Sequence, residues 1–134
     1  MLLKNNAVMH AKPTVMICDD EADLLHMYSL ALKKHYNVLT AKSGRACVEK
    51  YMEQSLQGKK IHLLLLDYKL GDTTGDDVAR KIRDLDGTKT ILISAYELGK
   101  EMLDDLRSND CIVGVISKPV SMKILLEKIG QTLT

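Results

Sequence analysis

Residues 61–67 read Ile61-His62-Leu63-Leu64-Leu65-Leu66-Asp67. Strict alternation of apolar and polar residues would mark a strand with one face in water. A nearly continuous apolar run marks a strand covered on both faces, as at the centre of a parallel sheet. A buried helix can have the same composition, but this run is too short for one. It starts after Gly58-Lys59-Lys60 and stops at a charge. Asp67 thereby falls at the carboxyl end of a parallel strand, the edge where open α/β sheets gather their chemistry. On the strand alone, an aspartate facing solvent or capping a turn is an equal reading.

Outward from this strand, β-rich runs alternate with helical patterns. Upstream, Thr14-Val15-Met16-Ile17-Cys18 is a first strand that stops at Asp19-Asp20-Glu21. A first helix spans Ala22 to Tyr36, with Leu24, Leu25, Tyr28, Ala31, Leu32 and Tyr36 three or four apart on one stripe. Val38-Leu39-Thr40 is a second strand. Ser43 is the expected N-cap of a helix to Leu56, with Ala46, Cys47 and Tyr51 inward and Met52 a further candidate. Downstream, Gly71-Asp72-Thr73-Thr74-Gly75 has no period and is a loop. A helix over Asp76–Leu85 faces Val78, Ala79 and Ile82 inward. Thr90–Ser94 is a fourth strand, and Leu98–Arg107 a more polar helix. Ile112–Ile116 is a fifth strand ending at Ser117-Lys118-Pro119. A last helix over Ser121–Leu133 carries Met122, Leu125, Leu126, Ile129 and Leu133. Five strand–helix repeats with short connections predict right-handed βαβ units and helices on both faces of a parallel sheet. Met1–Pro13 has no period and is expected to be a flexible arm, with one domain from residue 14 to 133.

Composition narrows the classes. A chain of 134 residues suits one domain. At this size a domain buries roughly two thirds of its extended-chain surface, so it needs no metal or disulfide to hold a core. The net charge of +1 gives no general argument for nucleic acid or a strongly acidic partner. Cys18, Cys47 and Cys111 are far apart in sequence and form no metal-ligand spacing. Cys18 and Cys111 lie in or beside apolar runs and read as buried small hydrophobes, which suits a reducing cytoplasm. The first residues are too short and polar for a signal peptide, and no apolar run approaches the ~20 residues of a membrane span. Trp and Phe are absent, which weakens any aromatic stacking platform for nucleic acid.

In a parallel sheet the strand ends Asp19-Asp20, Asp67, Ser94 and Lys118 share one edge. Capping of the first helix accounts for one or two of the carboxylates after the first strand. Asp19, Asp20 and Asp67 would then converge, and three such carboxylates repel one another unless a cation sits among them. Mg2+ answers that problem: it takes one or two carboxylates, keeps waters and leaves room for a phosphoryl oxygen. Nucleotide folds fit poorly. There is no GxGxxG after the first strand and no GxxxxGK[ST] anywhere, and the acidic loop would repel a phosphate. A hydrolase with two aspartates spaced by one residue would need a carboxylate where this chain has Lys69.

Taken together, these motifs resemble the receiver domain of response regulators in two-component signalling, over nearly all of residues 14–133. Asp19-Asp20-Glu21 is similar to that family's acidic pocket, and Asp67 to its phosphoacceptor. Ser94-Ala95 matches the switch hydroxyl and its small neighbour. Lys118-Pro119 matches the family's lysine and the following proline, usually a cis peptide. Leu70 to Gly75 stands where the family usually has Met-Pro-x-x-x-Gly, so Gly75 is kept and the Met-Pro pair is not. The resemblance implies a flavodoxin-like (βα)5 fold with strand order 2-1-3-4-5. It implies that Asp67 takes a phosphoryl group from a sensor histidine kinase or phosphotransfer protein. Asp20, Asp67 and the Lys69 backbone carbonyl would hold Mg2+, or Mn2+ in its place, with Asp19 acting through water. Mg2+ and Lys118 would stabilise charge on the phosphoryl oxygens, and Ser94 would bond one of them.

The resemblance also has gaps. The family's switch aromatic, three residues before the lysine, is here Val115, so the usual swing coupled to Ser94 is lost; Val115 also reads as an ordinary buried strand residue. Lys69 and Tyr96, each two residues past a site residue, are expected to modulate phosphate loss. The expected function is a phosphorylation-activated switch that catalyses its own phosphoryl transfer and dephosphorylation while serving mainly in signalling. A phosphorylation-independent docking scaffold is the alternative. The downstream partner would be a protein target or a fused domain absent from this chain. Direct nucleic-acid binding lacks a basic stripe or a helix-turn-helix segment.

Overall fold

The computed structural model describes residues 11–134. Five strands, β1 (Thr14–Cys18), β2 (Asn37–Ala41), β3 (Leu63–Asp67), β4 (Lys89–Ser94) and β5 (Gly114–Ser117), form one sheet. Its order is β2-β1-β3-β4-β5 and every pairing is parallel, as the family resemblance implied. Between them run α1 (Ala22–Leu32), α2 (Gly44–Leu56), α3 (Gly75–Leu85), α4 (Lys100–Ser108) and α5 (Met122–Leu133).

The four leucines of β3 explain the layering. Successive side chains of a strand point to opposite faces. Leu64 and Leu66 join Met16, Cys18 and Leu92 beneath α2, α3 and α4, which add Cys47, Tyr51, Val78, Ala79, Ile82 and Leu106. Leu63 and Leu65 join Val15, Ile17, Ile91, Ile93 and Ile116 beneath α1 and α5, which add Leu25, Tyr28, Leu32, Leu125 and Ile129. Each fully buried leucine contributes about 1.5–3 kcal/mol through loss of apolar surface to water, so a central strand without alternation is the most stable arrangement for these residues.

Several boundaries differ from the sequence reading. α1 ends at Leu32 rather than Tyr36, because the His35 and Tyr36 N–H groups both turn back to the Leu32 carbonyl and deliver Asn37 beside Pro13. β3 starts at Leu63; Ile61 is buried outside the ladder, and His62 exchanges bonds with Thr14 through its backbone N–H and its Nδ1. α4 starts after Gly99, although Leu98 still packs on the core. β5 starts at Gly114 rather than Ile112, because the chain turns through Asp110 at φ 58°. Met52 is exposed, not inward. Ser43 caps α2 as expected, accepting from the Ala46 N–H at 3.0 Å.

α4 is the least embedded helix. Leu106 is its one fully buried residue, and Arg80 ties it to α3 by reaching both Asp76 (2.8 Å) and Asp105 (3.0 Å). Exposed pairs of this kind contribute little each. All three cysteines are free and buried. Cys18 and Cys47, distant in sequence, are neighbours, and Cys47 and burial together push the Cys18 thiol up, so it stays protonated. Of the expected arm Met1–Pro13, residues 1–10 lie outside the described residues, while the Lys12 and Pro13 carbonyls accept bonds from Asn37.

Candidate functional site

Each candidate residue reaches the carboxyl edge of the sheet for a local reason. Asp19 follows β1, and its N–H donates to the Ala41 carbonyl of β2 at 3.1 Å. Its Oδ1 accepts the Glu21 N–H at 2.9 Å, a tight turn that swings Asp20 and Glu21 out to the surface. Asp67 ends β3, between the ends of β1 and β4 in the sheet. Lys118 follows β5, with its N–H on the Ser94 carbonyl (2.8 Å). The Lys118–Pro119 peptide is cis, as the resemblance implied.

The centre of the arrangement is a buried charge cluster. Asp19 is 1% exposed and Asp67 6%. Lys118 Nζ lies 3.1 Å from Asp67 Oδ1 and 3.5 Å from Asp19 Oδ2. Burial pushes the Asp67 carboxyl up; the hydrogen bond from Lys118 pulls it down, and the nearby Asp19 and Asp20 charges push it up again, so it remains above the usual carboxylate range. Burial works against the Lys118 charge, but Asp67 and Asp19 outweigh it and hold the ammonium on. Burial is the largest effect on Asp67, and a lysine shared with Asp19 does not offset it, which is why Asp67 is raised despite its ion pair.

The carboxylates of Asp19, Asp20 and Glu21 each offer an oxygen within 4.8 Å of the others. Asp67 lies outside that tight group, with Oδ1 paired to Lys118. These are hard oxygen donors with a net negative charge, and their chemistry fits a small divalent ion such as Mg2+. Gly71 lies against them: a Cβ there would sit 3.5 Å from Asp20 Oδ2.

Ser94 is buried at the end of β4, but its hydrogen bonds go to the backbone of Tyr96 rather than to Asp67. Its Oγ donates to the Tyr96 carbonyl and accepts the Tyr96 N–H, both at 2.9 Å. Ala95 is exposed beside it. Tyr96 is 54% exposed, with its hydroxyl 3.4 Å from Lys69 Nζ and its ring centroid 5.4 Å from the same ammonium. The two side chains singled out as modulators therefore meet each other. Val115 pairs with Leu92 in the ladder and packs on the core under α4, but it is only partly buried there. Gly75 opens α3 where the chain passes Asp67 most closely: a Cβ would meet the Asp67 carbonyl oxygen at 2.7 Å.

Glu21, quoted with the acidic pocket, lies at ligand distance from Asp19 and Asp20. Two residues in or near the site escaped the sequence reading. Tyr28, assigned only to the α1 stripe, brings a buried phenol into the field of the cluster; burial pushes it up, Lys118 opposes, and Asp19 and Asp67 add to the rise. Asp72 bonds to the start of α2. Tyr28 had a weak signal, a phenol among the apolar residues of the α1 stripe; Asp72 had none, since its partners are 27 and 28 residues away.

The sequence matches the family described as response regulator receiver domain over residues 15–130. It is 27% identical over 118 residues to the response regulator RR06 of Streptococcus pneumoniae, covering 86% of this chain and 50% of that protein. The chain thus spans about half the length of that relative. Among solved structures it resembles a CheY-like receiver domain protein of Methanospirillum hungatei, with TM-score 0.78, 27% identity and coverage of 92% of this chain and 94% of the other. It also shares the fold of the chemotaxis protein CheY4 of Vibrio cholerae, with TM-score 0.79, 22% identity and coverage of 92% and 100%.

Proposed function

The chain belongs to the response regulator receiver domain family, and on that premise we propose that it is a phosphorylation-activated switch whose phosphoacceptor is Asp67. The observation that carries the reading is Lys118 Nζ, 3.1 Å from Asp67 Oδ1 and 3.5 Å from Asp19 Oδ2, in a buried pocket rimmed by Asp20 and Glu21. An Asp67 oxygen attacks the phosphorus of a phosphohistidine on a sensor kinase or phosphotransfer protein. The P–N bond breaks, the imidazole leaves with a proton, and an acyl phosphate remains on Asp67.

Mg2+ held by Asp20, Asp67 and the Lys69 carbonyl, with Asp19 acting through water, would supply charge stabilisation for the phosphoryl oxygens. Lys118 contributes a second positive charge already aimed at Asp67. Ser94 must exchange its bonds to Tyr96 for one to a phosphoryl oxygen, so the backbone at Tyr96 is the first place a phosphorylated state would differ. With Val115 in place of the aromatic, that change reaches α4 through the β4–α4 connection rather than through a swinging ring. No helix among the described residues is long and apolar enough to cross a membrane; a cytoplasmic setting and a downstream protein target complete the reading.

The test is reaction with acetyl phosphate and Mg2+, followed by intact-mass measurement. One phosphoryl group should add to the parent and none to Asp67→Asn. Asp20→Asn should weaken Mg2+ binding markedly in a calorimetric titration, since it removes a charge and a hard ligand. Equal Mg2+ affinity in Asp20→Asn, or no Mg2+-dependent phosphorylation of the parent, sinks the reading. Failure to respond while still binding a kinase would favour the docking scaffold.

A further inference from the structure

The loop between β3 and α3 carries an anchor with no part in the transfer step itself. Asp72 stands at its tip. Its Oδ1 accepts the Gly44 N–H at 2.9 Å and its Oδ2 the Arg45 N–H at 3.0 Å. These are the first two N–H groups of α2, and a helix start leaves such groups without partners of its own. The carboxylate also faces the positive end of the helix dipole. The bonds from Arg45 and Gly44 hold Asp72 below the usual carboxylate range. The approach is close: a Cβ on Gly44 would run into Thr73 Cγ2 and come within 2.9 Å of Val78 Cγ2, so those side chains would have to shift.

The same loop is a small hairpin. The Gly75 N–H donates to the Tyr68 carbonyl (2.6 Å), the Leu70 N–H to the Thr73 carbonyl (3.1 Å), and Lys69 bridges Thr74. Gly71, at φ 81°, occupies a position where the family's usual proline would restrain the backbone, and it lies beside Asp20 Oδ2. One end of the hairpin continues the phosphoacceptor strand, and its tip is fastened to another helix. Displacing the tip moves both the Lys69 carbonyl and the surface against which Asp20 rests.

We infer that Asp72 is a positioning residue for the Mg2+ site, its clamp on the start of α2 replacing the rigidity that a proline would give the loop. The inference rests on the phosphotransfer reading above and deepens it.

The test uses the whole chain with Asp72→Ala and Asp72→Asn. In the metal-free protein, amide hydrogen exchange at Gly44 and Arg45 should be slowed in the parent, fast in Asp72→Ala and intermediate in Asp72→Asn, which keeps one acceptor. In an Mg2+ titration followed by backbone amide shifts, Asp72→Ala should raise the Kd about tenfold, the low end of what outer-shell partners of metal ligands contribute. Asp72→Asn, with one acceptor kept, should raise it about threefold, half of that loss on the free-energy scale. A residue that only stabilised the fold would lower the melting temperature and leave the Kd of the folded protein unchanged. Asp72→Ala binding Mg2+ like the parent, or unprotected Gly44 and Arg45 amides in the parent, overturns the inference alone. A parent that does not bind Mg2+ overturns the phosphotransfer reading and the inference with it. Should Asp72→Ala fail to fold, Asp72→Asn decides: a Kd equal to the parent's, despite faster exchange at these amides, overturns the inference.

Discussion

Replacing Gly75 with alanine tests the close passage of α3 over the end of β3. A Cβ at Gly75 would sit 2.7 Å from the Asp67 carbonyl oxygen, 2.9 Å from Leu92 Cδ2 and 3.0 Å from Tyr68 Cα. Two of those three atoms are backbone, which cannot rotate away as a side-chain end can. Forcing a methyl into such a space costs about 1–3 kcal/mol. Alanine recovers about 0.4–1 kcal/mol by reducing the freedom of the unfolded chain. The net loss is about 1–2 kcal/mol, or a fall in Tm of roughly 3–10 °C for a domain of this size. Because the atom pushed aside is the Asp67 carbonyl, the phosphorylation rate should fall as well, by about tenfold or more, since a 1 Å misplacement can cost about a hundredfold. Gly130, inside α5 with no atom within 4 Å of its Cβ position, is the control. There alanine should stabilise by about 0.5–1 kcal/mol and leave phosphorylation alone. Thermal melts by circular dichroism and acetyl-phosphate labelling read both effects. A Gly75→Ala protein that melts at or above the parent temperature refutes the reasoning.

Asp67→Asn should raise the metal-free Tm by a few degrees, about 1 kcal/mol. The folded protein holds a proton on Asp67 to a higher pH than the unfolded chain does, because of burial. Ionised Asp67 therefore penalises the fold above its folded pKa, and the penalty disappears as pH falls below the unfolded value near ~4. The advantage of Asp67→Asn should accordingly shrink on acidification and in saturating Mg2+; a lower Tm for the variant near neutral pH would contradict this. Tyr96→Ala should speed loss of phosphate from labelled protein in excess Mg2+, if the pair that the Tyr96 ring forms with Lys69, two residues past Ser94 and Asp67, screens the attacking water. The Ser94 bonds to the Tyr96 backbone survive that change, so decay at the parent rate or slower would mean the ring does not shield the site.

What the sequence determined by itself was the order of layers and the edge that carries the chemistry. Both follow from local properties. The leucines of β3 cannot avoid water unless both faces are covered, the helical stripes of α1, α2, α3 and α5 each supply one cover, and a parallel sheet sends Asp19, Asp67, Ser94 and Lys118 to one edge whatever their detailed contacts. The acidic residues after β1 were legible for the same reason. Element ends were less so: α1, α4 and β5 begin or stop where the chain must turn, and the decisive bonds, such as Tyr36 to Leu32 and Asn37 to Pro13, belong to the turn rather than to any periodic pattern.

Only the tertiary structure decided which groups pair. Lys118 chooses Asp67 and Asp19 across as many as 99 residues, Ser94 turns to the Tyr96 backbone, Lys69 meets Tyr96, Cys18 meets Cys47, and Asp72 reaches α2. Each of those choices depends on side-chain rotamers and on the separation of elements fixed by the packing of both cores. Hydrophobic pattern selects which face is buried, at several kcal/mol per strand, and so can be read residue by residue. Polar pairing selects among nearly equal partners at short range, and distances of 3 Å exist only once the whole sheet has been assembled.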